Sequence, residues 1–197
     1  MKKSRGGANG KPSIFDEIDT EDIVFAFFPC TRFSCQAQTV ISCNQPQMKN
    51  TPDRQKLERT IEKHDELSRL FNLISKLAMI AIDRNLKLVI ENPATPPHYL
   101  SMYWCLKPSI VDKDRTERGD FAKKPTQYWF IGFEPLNNFI FEPLDLVDTV
   151  KIKRIKSGEK DRQTLRSEIH PQYANRFIRE HILDRELWEN DSSYKVV

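Results

Sequence analysis

The sequence predicts an α/β fold built on a partial, parallel-stranded sheet, and two observations carry this prediction. A short apolar run over residues 21 to 28 is closed by Pro29, which is typical of a strand buried on both faces of a parallel sheet. A long helical pattern follows, and it leads to a second apolar run over residues 86 to 90. Because strand, long helix and strand form a crossover unit, we expect the two strands to be parallel.

The helix between these strands has the clearest pattern in the chain. Thr51 and Pro52 give a start signal, with Thr51 as the cap and Pro52 in the first turn. Apolar residues then recur at three- and four-residue steps to about Arg84, with charged residues on the opposite face. Residues 31 to 50, before the helix, are rich in Ser, Thr, Gln and Asn. They are predicted to form a long loop of the kind that often carries function.

The remaining elements are predicted to be a β-hairpin and a C-terminal helix. Residues 127 to 133 and 138 to 141 are aromatic, β-prone runs joined by a Pro-Leu-Asn turn. Residues 169 to 183 have an amphipathic helical pattern that begins near Pro171. The predicted order is therefore a strand–long helix–strand crossover, then a hairpin, then a closing helix.

Composition excludes several classes of protein. A chain of 197 residues with 39% hydrophobic and 30% charged residues suits one globular domain with a core, not a disordered tail. It has no apolar stretch near the roughly 18 residues that a membrane span requires, and no apolar signal region follows the basic N-terminus. We therefore expect a cytoplasmic protein with no membrane contact. The four cysteines lack the Cys-x-x-Cys pairs of a zinc site, so we expect free thiols and no metal.

A basic cluster lies between Lys151 and Arg166, with seven basic residues against two acidic ones. Such a cluster can contact nucleic-acid phosphates and release their counterions, which makes Lys151, Lys153 and Arg154 candidate DNA contacts. A solvated surface loop explains the same charges, and from charge alone both interpretations stay open.

Two short motifs with potentially reactive side chains follow the two predicted parallel strands. Pro29-Cys30 follows the first strand and Glu91-Asn92-Pro93 follows the second, and ligand sites in parallel sheets lie beyond the carboxyl ends of the strands. Because Pro29 ends its strand, Cys30 is expected to be displayed on the loop. A thiolate is the nucleophilic form of cysteine, and Arg32 can supply positive charge that favours it.

This pair of motifs resembles the DNA cytosine methyltransferases that modify ring carbon 5, most closely their short, phage-like branch. The similar segments are residues 27 to 34, 90 to 93, 123 to 130 and 166 to 178. The resemblance covers about residues 20 to 183, and it implies a partial Rossmann-like methyltransferase sheet. It also implies a lead-in or linker over residues 1–19, the catalytic portion over 20–184 and a C-terminal tail over 185–197.

The resemblance implies a role for each matching residue. Cys30 would add to carbon 6 of a flipped-out cytosine while Glu91 hydrogen-bonds ring nitrogen 3, so that carbon 5 can take a methyl group from S-adenosylmethionine. Pro29 would shape the catalytic turn and Asn92 would orient the site. The remaining candidates would contact double-stranded DNA, and they are Arg32, Lys124 and Thr126.

The cofactor-binding part of such an enzyme is not found in the sequence. A site of this type needs a first strand that ends in a glycine-rich turn and an acidic residue at the next strand end. About twenty residues precede the first predicted strand, and the glycines at 6, 7 and 10 follow no strand. We therefore expect S-adenosylmethionine binding to need a longer gene product or a separate cofactor-binding chain.

Two alternatives are kept. The chain can be a catalytically inactive, DNA-binding remnant of such an enzyme. It can also be compared with amino-group DNA methyltransferases, which use an Asn/Asp-Pro-Pro-aromatic motif, but Asn92-Pro93-Ala94-Thr95 departs from that motif at its last two positions.

Overall fold

The computed structural model describes residues 13–34, 40–145, 147–148 and 168–184. Four strands form one mixed sheet in the order β1-β2-β4-β3, and they are β1 (Ile23–Phe27), β2 (Lys87–Pro93), β3 (Ile110–Asp112) and β4 (Thr126–Ile131). The helices are α1 (Asp53–Arg84), α2 (Tyr99–Tyr103) and α3 (Pro171–His181). β1 and β2 are parallel, whereas β4 is antiparallel to both of its neighbours. The predicted α/β class and the parallel pair are confirmed.

Helix α1 covers one face of the sheet and follows the predicted pattern closely. Ile74 and Ala78 on the helix pack with Leu88 and Trp129 on the strands in one apolar cluster. The helix ends at Asn85, whose φ of 55° is the left-handed conformation that stops a helix. This burial of an apolar stripe fixes the crossover between the two parallel strands.

The start of α1 differs from the prediction. Pro52 occupies the N-cap position, and no side chain caps the helix there. The Thr51 hydroxyl instead contacts the Met48 sulfur at 3.8 Å, so the prediction of Thr51 as the cap was wrong. Proline fixes its own φ near the value that the first turn needs, which allows the helix to begin without a side-chain cap.

Helix α3 covers the other face, and it begins at Pro171 as predicted. Its Tyr173 and Phe177 pack against Val89 of β2 and Tyr128 of β4. The His170 imidazole accepts a hydrogen bond from the backbone of Gln172 at 3.2 Å, which satisfies one of the open N–H groups of the first turn. The sheet is therefore enclosed by α1 on one face and α3 on the other.

The predicted β-hairpin is wrong. The first run forms β4, but residues 138 to 141 are not a strand, and the partners of β4 are β2 and β3. Gly132 ends β4 with a φ of 83°, and a Cβ there would lie 2.3 Å from the Leu86 carbonyl oxygen. The chain turns away from the sheet at this glycine. Leu136 and Asn138 then donate backbone hydrogen bonds to carbonyls of α3, at 2.9 Å each.

Strand β1 is less buried than the sequence suggests. It pairs with β2 on one side and with no other strand in the described part of the chain. All five of its residues are at least partly exposed, and 59% of Phe27 is exposed. Its side chains nevertheless pack on both faces, Val24 and Ala26 in the cluster beneath α1 and Ile23 and Phe25 in the cluster beneath α3. The prediction of burial on both faces is therefore confirmed only in part, because a short apolar run does not reveal that the strand lies at an edge.

The segment before β1 is also part of the fold. Ile14–Asp16 form a 3₁₀ turn that Ser13 caps, and Phe15 and Ile18 pack against the cluster beneath α1. Structure thus extends into the second half of the predicted lead-in. In the ranges that the structure describes, no helix combines the length and the apolar character needed to cross a membrane.

Candidate active site

The candidate nucleophile and the candidate acid lie at the same edge of the sheet. Phe27, the last residue of β1, is the register partner of Glu91 on β2. Cys30 follows three residues later, after the chain turns at Pro29 (φ −56°) into the 3₁₀ turn Cys30–Arg32. Because β1 and β2 run parallel, their carboxyl ends bring the Cys30 turn and the end of β2 together.

The turn that carries Cys30 is held by backbone hydrogen bonds. The N–H groups of Phe33 and Ser34 both donate to the Cys30 carbonyl oxygen at 3.1 Å. Phe33 is fully buried and anchors the turn in the cluster beneath α1. Cys30 itself is half-buried and forms no disulfide in the described part of the chain. Its thiol is therefore carried on a hydrogen-bonded turn and is free of a disulfide within the described residues.

Arg32 contacts a carboxylate of α1. Its guanidinium pairs with Glu66, and the Lys63 ammonium lies 2.9 Å from the same carboxylate. Hydrogen bonds from Lys63 and Arg32 hold the pKa of Glu66 below its usual range. The positive charge that the sequence places near Cys30 is thus shared with an acidic partner on α1.

Glu91 is buried in the centre of the sheet, between β1 and β4, and only 6% of it is exposed. Its Oε1 atom lies 3.5 Å from the Lys124 ammonium, but it accepts no hydrogen bond within the described residues. A buried acceptor without a donor costs about 1–3 kcal/mol. Bound ligands commonly supply such a donor, so Oε1 is the atom of this site with capacity left for one.

Tyr128 lies directly opposite Glu91 on β4. Burial raises the pKa of the Tyr128 hydroxyl above its usual range, and the nearby Glu91 charge raises this pKa further. The phenol therefore stays protonated at neutral pH. Its hydroxyl lies 2.9 Å from the Tyr173 hydroxyl, which in turn donates to Asp112 at 3.0 Å.

Asn92 faces the opposite side of the sheet from Glu91, since side chains alternate along a strand. It is fully buried, and its Nδ2 donates to the Glu91 carbonyl oxygen at 2.9 Å. Its Oδ1 lies 3.2 Å from Nε2 of His98. Burial lowers the pKa of His98 to about 4, so this imidazole is neutral at physiological pH. Sequence reasoning assigned His98 no role because no periodicity or spacing marks it.

The loop before β4 places Lys124 beside Glu91. Thr126 is fully buried, and its hydroxyl donates to the Lys124 carbonyl oxygen at 3.0 Å. Ala94 donates a backbone hydrogen bond to Pro125 at 2.8 Å, which ties this loop to the end of β2. The Lys124 side chain keeps 20% of its surface exposed. Of the two predicted DNA contacts here, Lys124 thus reaches solvent, whereas Thr126 is buried and its hydroxyl is occupied by a hydrogen bond within the chain.

The other predicted DNA contacts, Lys151, Lys153 and Arg154, lie outside the described residues, as does the rest of the basic cluster. Among the residues that the structure does describe, no three His, Cys, Asp or Glu side chains gather in a way that could hold a metal ion. The placed candidates are therefore those at the ends of β1 and β2 and in the loop before β4.

A nucleotide-like cofactor does not fit the described part of the chain. The two glycines described there, Gly119 and Gly132, both have positive φ, at 89° and 83°. Neither leaves an open cradle, because a Cβ would lie 2.8 Å from the Gln172 side chain at the first and 2.3 Å from the Leu86 carbonyl at the second. The described residues thus include no glycine-rich turn of the kind that holds an adenosine cofactor.

Comparisons with protein-family models, with curated proteins and with solved structures found no match to this chain. The geometry of the site is therefore the basis on which a function can be assigned.

Proposed function

We propose that this chain carries the catalytic residues of a DNA cytosine C5 methyltransferase, acting on double-stranded DNA in the cytoplasm. The observation that carries the proposal is that the turn carrying Cys30 directly follows β1, whose last residue, Phe27, is the register partner of Glu91 on the parallel strand β2. The buried Oε1 of Glu91 lacks a hydrogen-bond donor within the described residues. A cytosine protonated at ring nitrogen 3 would supply that donor.

The chemistry needs both groups at once. The Cys30 thiolate adds to carbon 6 of a cytosine that has left the base stack, and a proton passes from the Glu91 carboxyl to nitrogen 3. Carbon 5 then has the electron density to take an electrophile. When water takes the hydrogen of carbon 5 as a proton, the electron pair of that bond re-forms the double bond between carbons 5 and 6 and expels the Cys30 thiolate, and the nitrogen 3 proton returns to Glu91. Thiolate addition without a proton at nitrogen 3 would leave negative charge on the ring, which explains the need for the buried acid.

The neighbouring residues support these two groups. Pro29 sets the turn that presents Cys30, and Asn92 fixes the peptide of Glu91 through its hydrogen bond at 2.9 Å. Lys124 keeps a positive charge 3.5 Å from Glu91 and reaches solvent. There it can meet a phosphate or the flipped base. Arg32 is proposed as a further DNA contact, and binding of phosphate there would compete with its pairing to Glu66.

The methyl donor of this reaction is S-adenosylmethionine, which supplies an electrophilic methyl group when bound. Because the described residues do not fit it, we propose that other residues of the gene product or a separate cofactor-binding chain hold it. The chemistry of Cys30 and Glu91 can be tested without the cofactor, since thiolate addition alone makes carbon 5 exchange its hydrogen with water.

The test is therefore tritium release from DNA labelled at carbon 5 of cytosine, with no methyl donor present. Because the target sequence is unknown, the labelled duplex is copied from a random-sequence template. We expect the wild-type chain to release tritium into water. Cys30→Ser should reduce release to background, and Glu91→Gln should reduce it at least about 100-fold, as expected for loss of a positioned acid.

Cys105→Ser is the matched control, because Cys105 is an exposed cysteine with no part in the site, and its release rate should stay within about twofold of wild type. Release that persists in Cys30→Ser would remove the proposed mechanism. A folded wild-type chain that binds the duplex without exchange would favour the alternative, a catalytically inactive DNA-binding remnant.

A further inference from the structure

We propose that His98 is a positioning residue that fixes the Cys30 turn relative to Glu91, through its hydrogen bond to Asn92 and its place at the start of α2. The inference rests on the proposed function for its catalytic consequence. The positioning itself follows from hydrogen bonds within the chain and can be measured without any substrate.

The direction of the His98–Asn92 hydrogen bond is fixed by chemistry. Asn92 uses its Nδ2 to donate to the Glu91 carbonyl oxygen, so the atom that faces His98 is the carbonyl oxygen Oδ1. A carbonyl oxygen only accepts, and Nε2 of His98 must therefore carry the proton. Since a neutral imidazole has one N–H, Nδ1 is left with a lone pair, and it is buried with no partner among the described residues.

His98 also begins the short helix that reaches the nucleophile turn. It is the N-cap of α2 (Tyr99–Tyr103). The next residue, Tyr99, donates its backbone N–H to the Phe33 carbonyl oxygen at 2.8 Å. Phe33 in turn donates its own N–H to the Cys30 carbonyl oxygen at 3.1 Å. The Cys30 turn is thus bonded to the residue next to His98, and the His98 ring is bonded to the residue next to Glu91.

A second bond from α2 reaches the same strand ends. The Ser101 hydroxyl donates to Oε1 of Gln127 at 2.7 Å, and Nε2 of Gln127 donates to the Pro93 carbonyl oxygen at 2.9 Å. This bond ties α2 to β2 and β4 but does not involve His98. Ser101→Ala therefore loosens α2 without breaking the His98–Asn92 bond, which makes it a matched control.

Two substitutions separate the hydrogen bond from the bulk of the side chain. His98→Gln places an amide nitrogen near the position of Nε2 and can keep the bond to Asn92, whereas His98→Asn reaches only the position of Nδ1 and cannot. Both remove the aromatic ring and so reduce the packing against Phe33, whose ring centroid lies 6.3 Å from that of His98. A difference between the two variants therefore reports the hydrogen bond.

The experiment measures iodoacetamide alkylation of each cysteine by mass spectrometry of peptides from the full chain. Cys30 is half-buried, and we expect a loosened turn to speed its alkylation about 10-fold in His98→Asn, a change that corresponds to about 1.4 kcal/mol. His98→Gln and Ser101→Ala should stay within about threefold of wild type. Cys43 is also half-buried and bonds Lys56 of α1, so its unchanged rate shows that the fold has not opened.

Two further measurements complete the test. Nitrogen NMR of the wild-type imidazole should show the proton of His98 on Nε2. In the tritium assay, His98→Asn should lower kcat by roughly 100-fold, the cost of misplacing reacting groups by about 1 Å, with KM within about threefold. His98→Gln should recover most of that loss.

The outcomes are distinct. Equal Cys30 rates in His98→Gln and His98→Asn, or a proton on Nδ1, would overturn the positioning role. A parallel rise at Cys43 would also overturn it, because the effect would then be general destabilisation. If the wild-type chain shows no tritium release while Cys30 alkylation still separates the two variants, the positioning role stands and the proposed function falls.

Discussion

The two faces of the sheet are covered by different chemistry. Under α1, the sheet packs through apolar side chains such as Ile74, Leu88 and Trp129, all of them almost fully buried. Under α3, a chain of polar groups crosses the interface, from Tyr128 through Tyr173 to Asp112. The α1 face also holds one buried polar contact, the His98–Asn92 hydrogen bond between two neutral side chains, whereas the polar chain of the α3 face ends in the carboxylate of Asp112.

A second polar unit reinforces the α3 face. Arg115 and Asp120 form an ion pair in which both side chains are almost completely buried. The Arg115 guanidinium also lies 4.6 Å from the centre of the Tyr173 ring, in cation–π geometry. Glu91 projects to this face, because it lies two residues after Val89, which packs beneath α3.

The two faces meet two different requirements of the candidate site, the spacing of the strand ends and the burial of a carboxylate. The apolar face holds the parallel strands β1 and β2 together, and so it sets the spacing of the strand ends. On the polar face, a buried carboxylate such as Glu91 has dipoles and charges as neighbours. Burial of the same carboxylate among apolar side chains would carry a large desolvation cost. Substitutions on the two faces should therefore lower the free energy of unfolding for different physical reasons.

The largest effect on stability is expected from Arg115→Met. It leaves Asp120 buried without its cation, and breaking a buried pair in this way costs about 3–5 kcal/mol. Urea unfolding should show this loss in the free energy of unfolding. The double variant with Asp120→Asn removes both charges and keeps an oxygen for the Phe121 N–H, which now donates to Asp120 at 2.7 Å.

That double variant should regain at least about 2 kcal/mol relative to Arg115→Met, since a neutral replacement of a buried pair is often tolerated. Recovery of this kind indicates a polar interface, because the stability lost in Arg115→Met then comes from the unpaired Asp120 carboxylate. If the double variant is as unstable as the single one, packing of the Arg115 side chain, and not its charge, closes the α3 face.

The apolar face should show no such recovery. Ile74 is fully buried beneath the sheet, and Ile74→Ala should cost about 3 kcal/mol through lost burial and the cavity that remains. Ile61 lies on the same helix with 62% of its surface exposed, so Ile61→Ala should change the free energy of unfolding by less than about 0.5 kcal/mol. Equal losses in the two variants would mean that α1 does not pack in the described orientation.

The sequence predicted the apolar face much better than the polar one. Helix α1, its two flanking strands and their parallel pairing follow from periodicity within 71 residues of chain, from Ile23 to Pro93. The polar face is assembled from three separate segments of the chain, one with Asp112 and Arg115, one with Tyr128 and one with Tyr173, and no spacing rule connects them. Strand β3 has three residues, too few for a pattern, and the false strand at residues 138 to 141 arose because β-propensity carries no information about hydrogen-bond partners.

The candidate site divides in the same manner. Cys30 and Glu91 were found from sequence because each follows an apolar run that ends in a recognisable motif. Three features depend on how loops pack at the strand ends. They are the Glu91 Oε1 that accepts no hydrogen bond within the described residues, its ion pair with Lys124 at 3.5 Å, and the His98–Asn92 bond. Such contacts between loops produce no periodic pattern in the sequence, so the sequence does not predict them.

The smallest expected effect is on the pH dependence of stability, and it involves one buried histidine on each face of the sheet. Burial lowers the pKa of His98 to about 4 and also lowers the pKa of His181 beneath α3. The unfolded chain binds a proton near pH 6.5 that folded His98 does not, so the stabilising contribution is full above pH 6.5 and is lost as the pH falls towards 4. From pH 7 to pH 5, His98 alone should account for a loss of about 2 kcal/mol. Urea unfolding of wild type and His98→Gln over this range isolates it, because the variant keeps the contribution of His181. Parallel curves for the two proteins would mean that folding leaves the pKa of His98 unchanged.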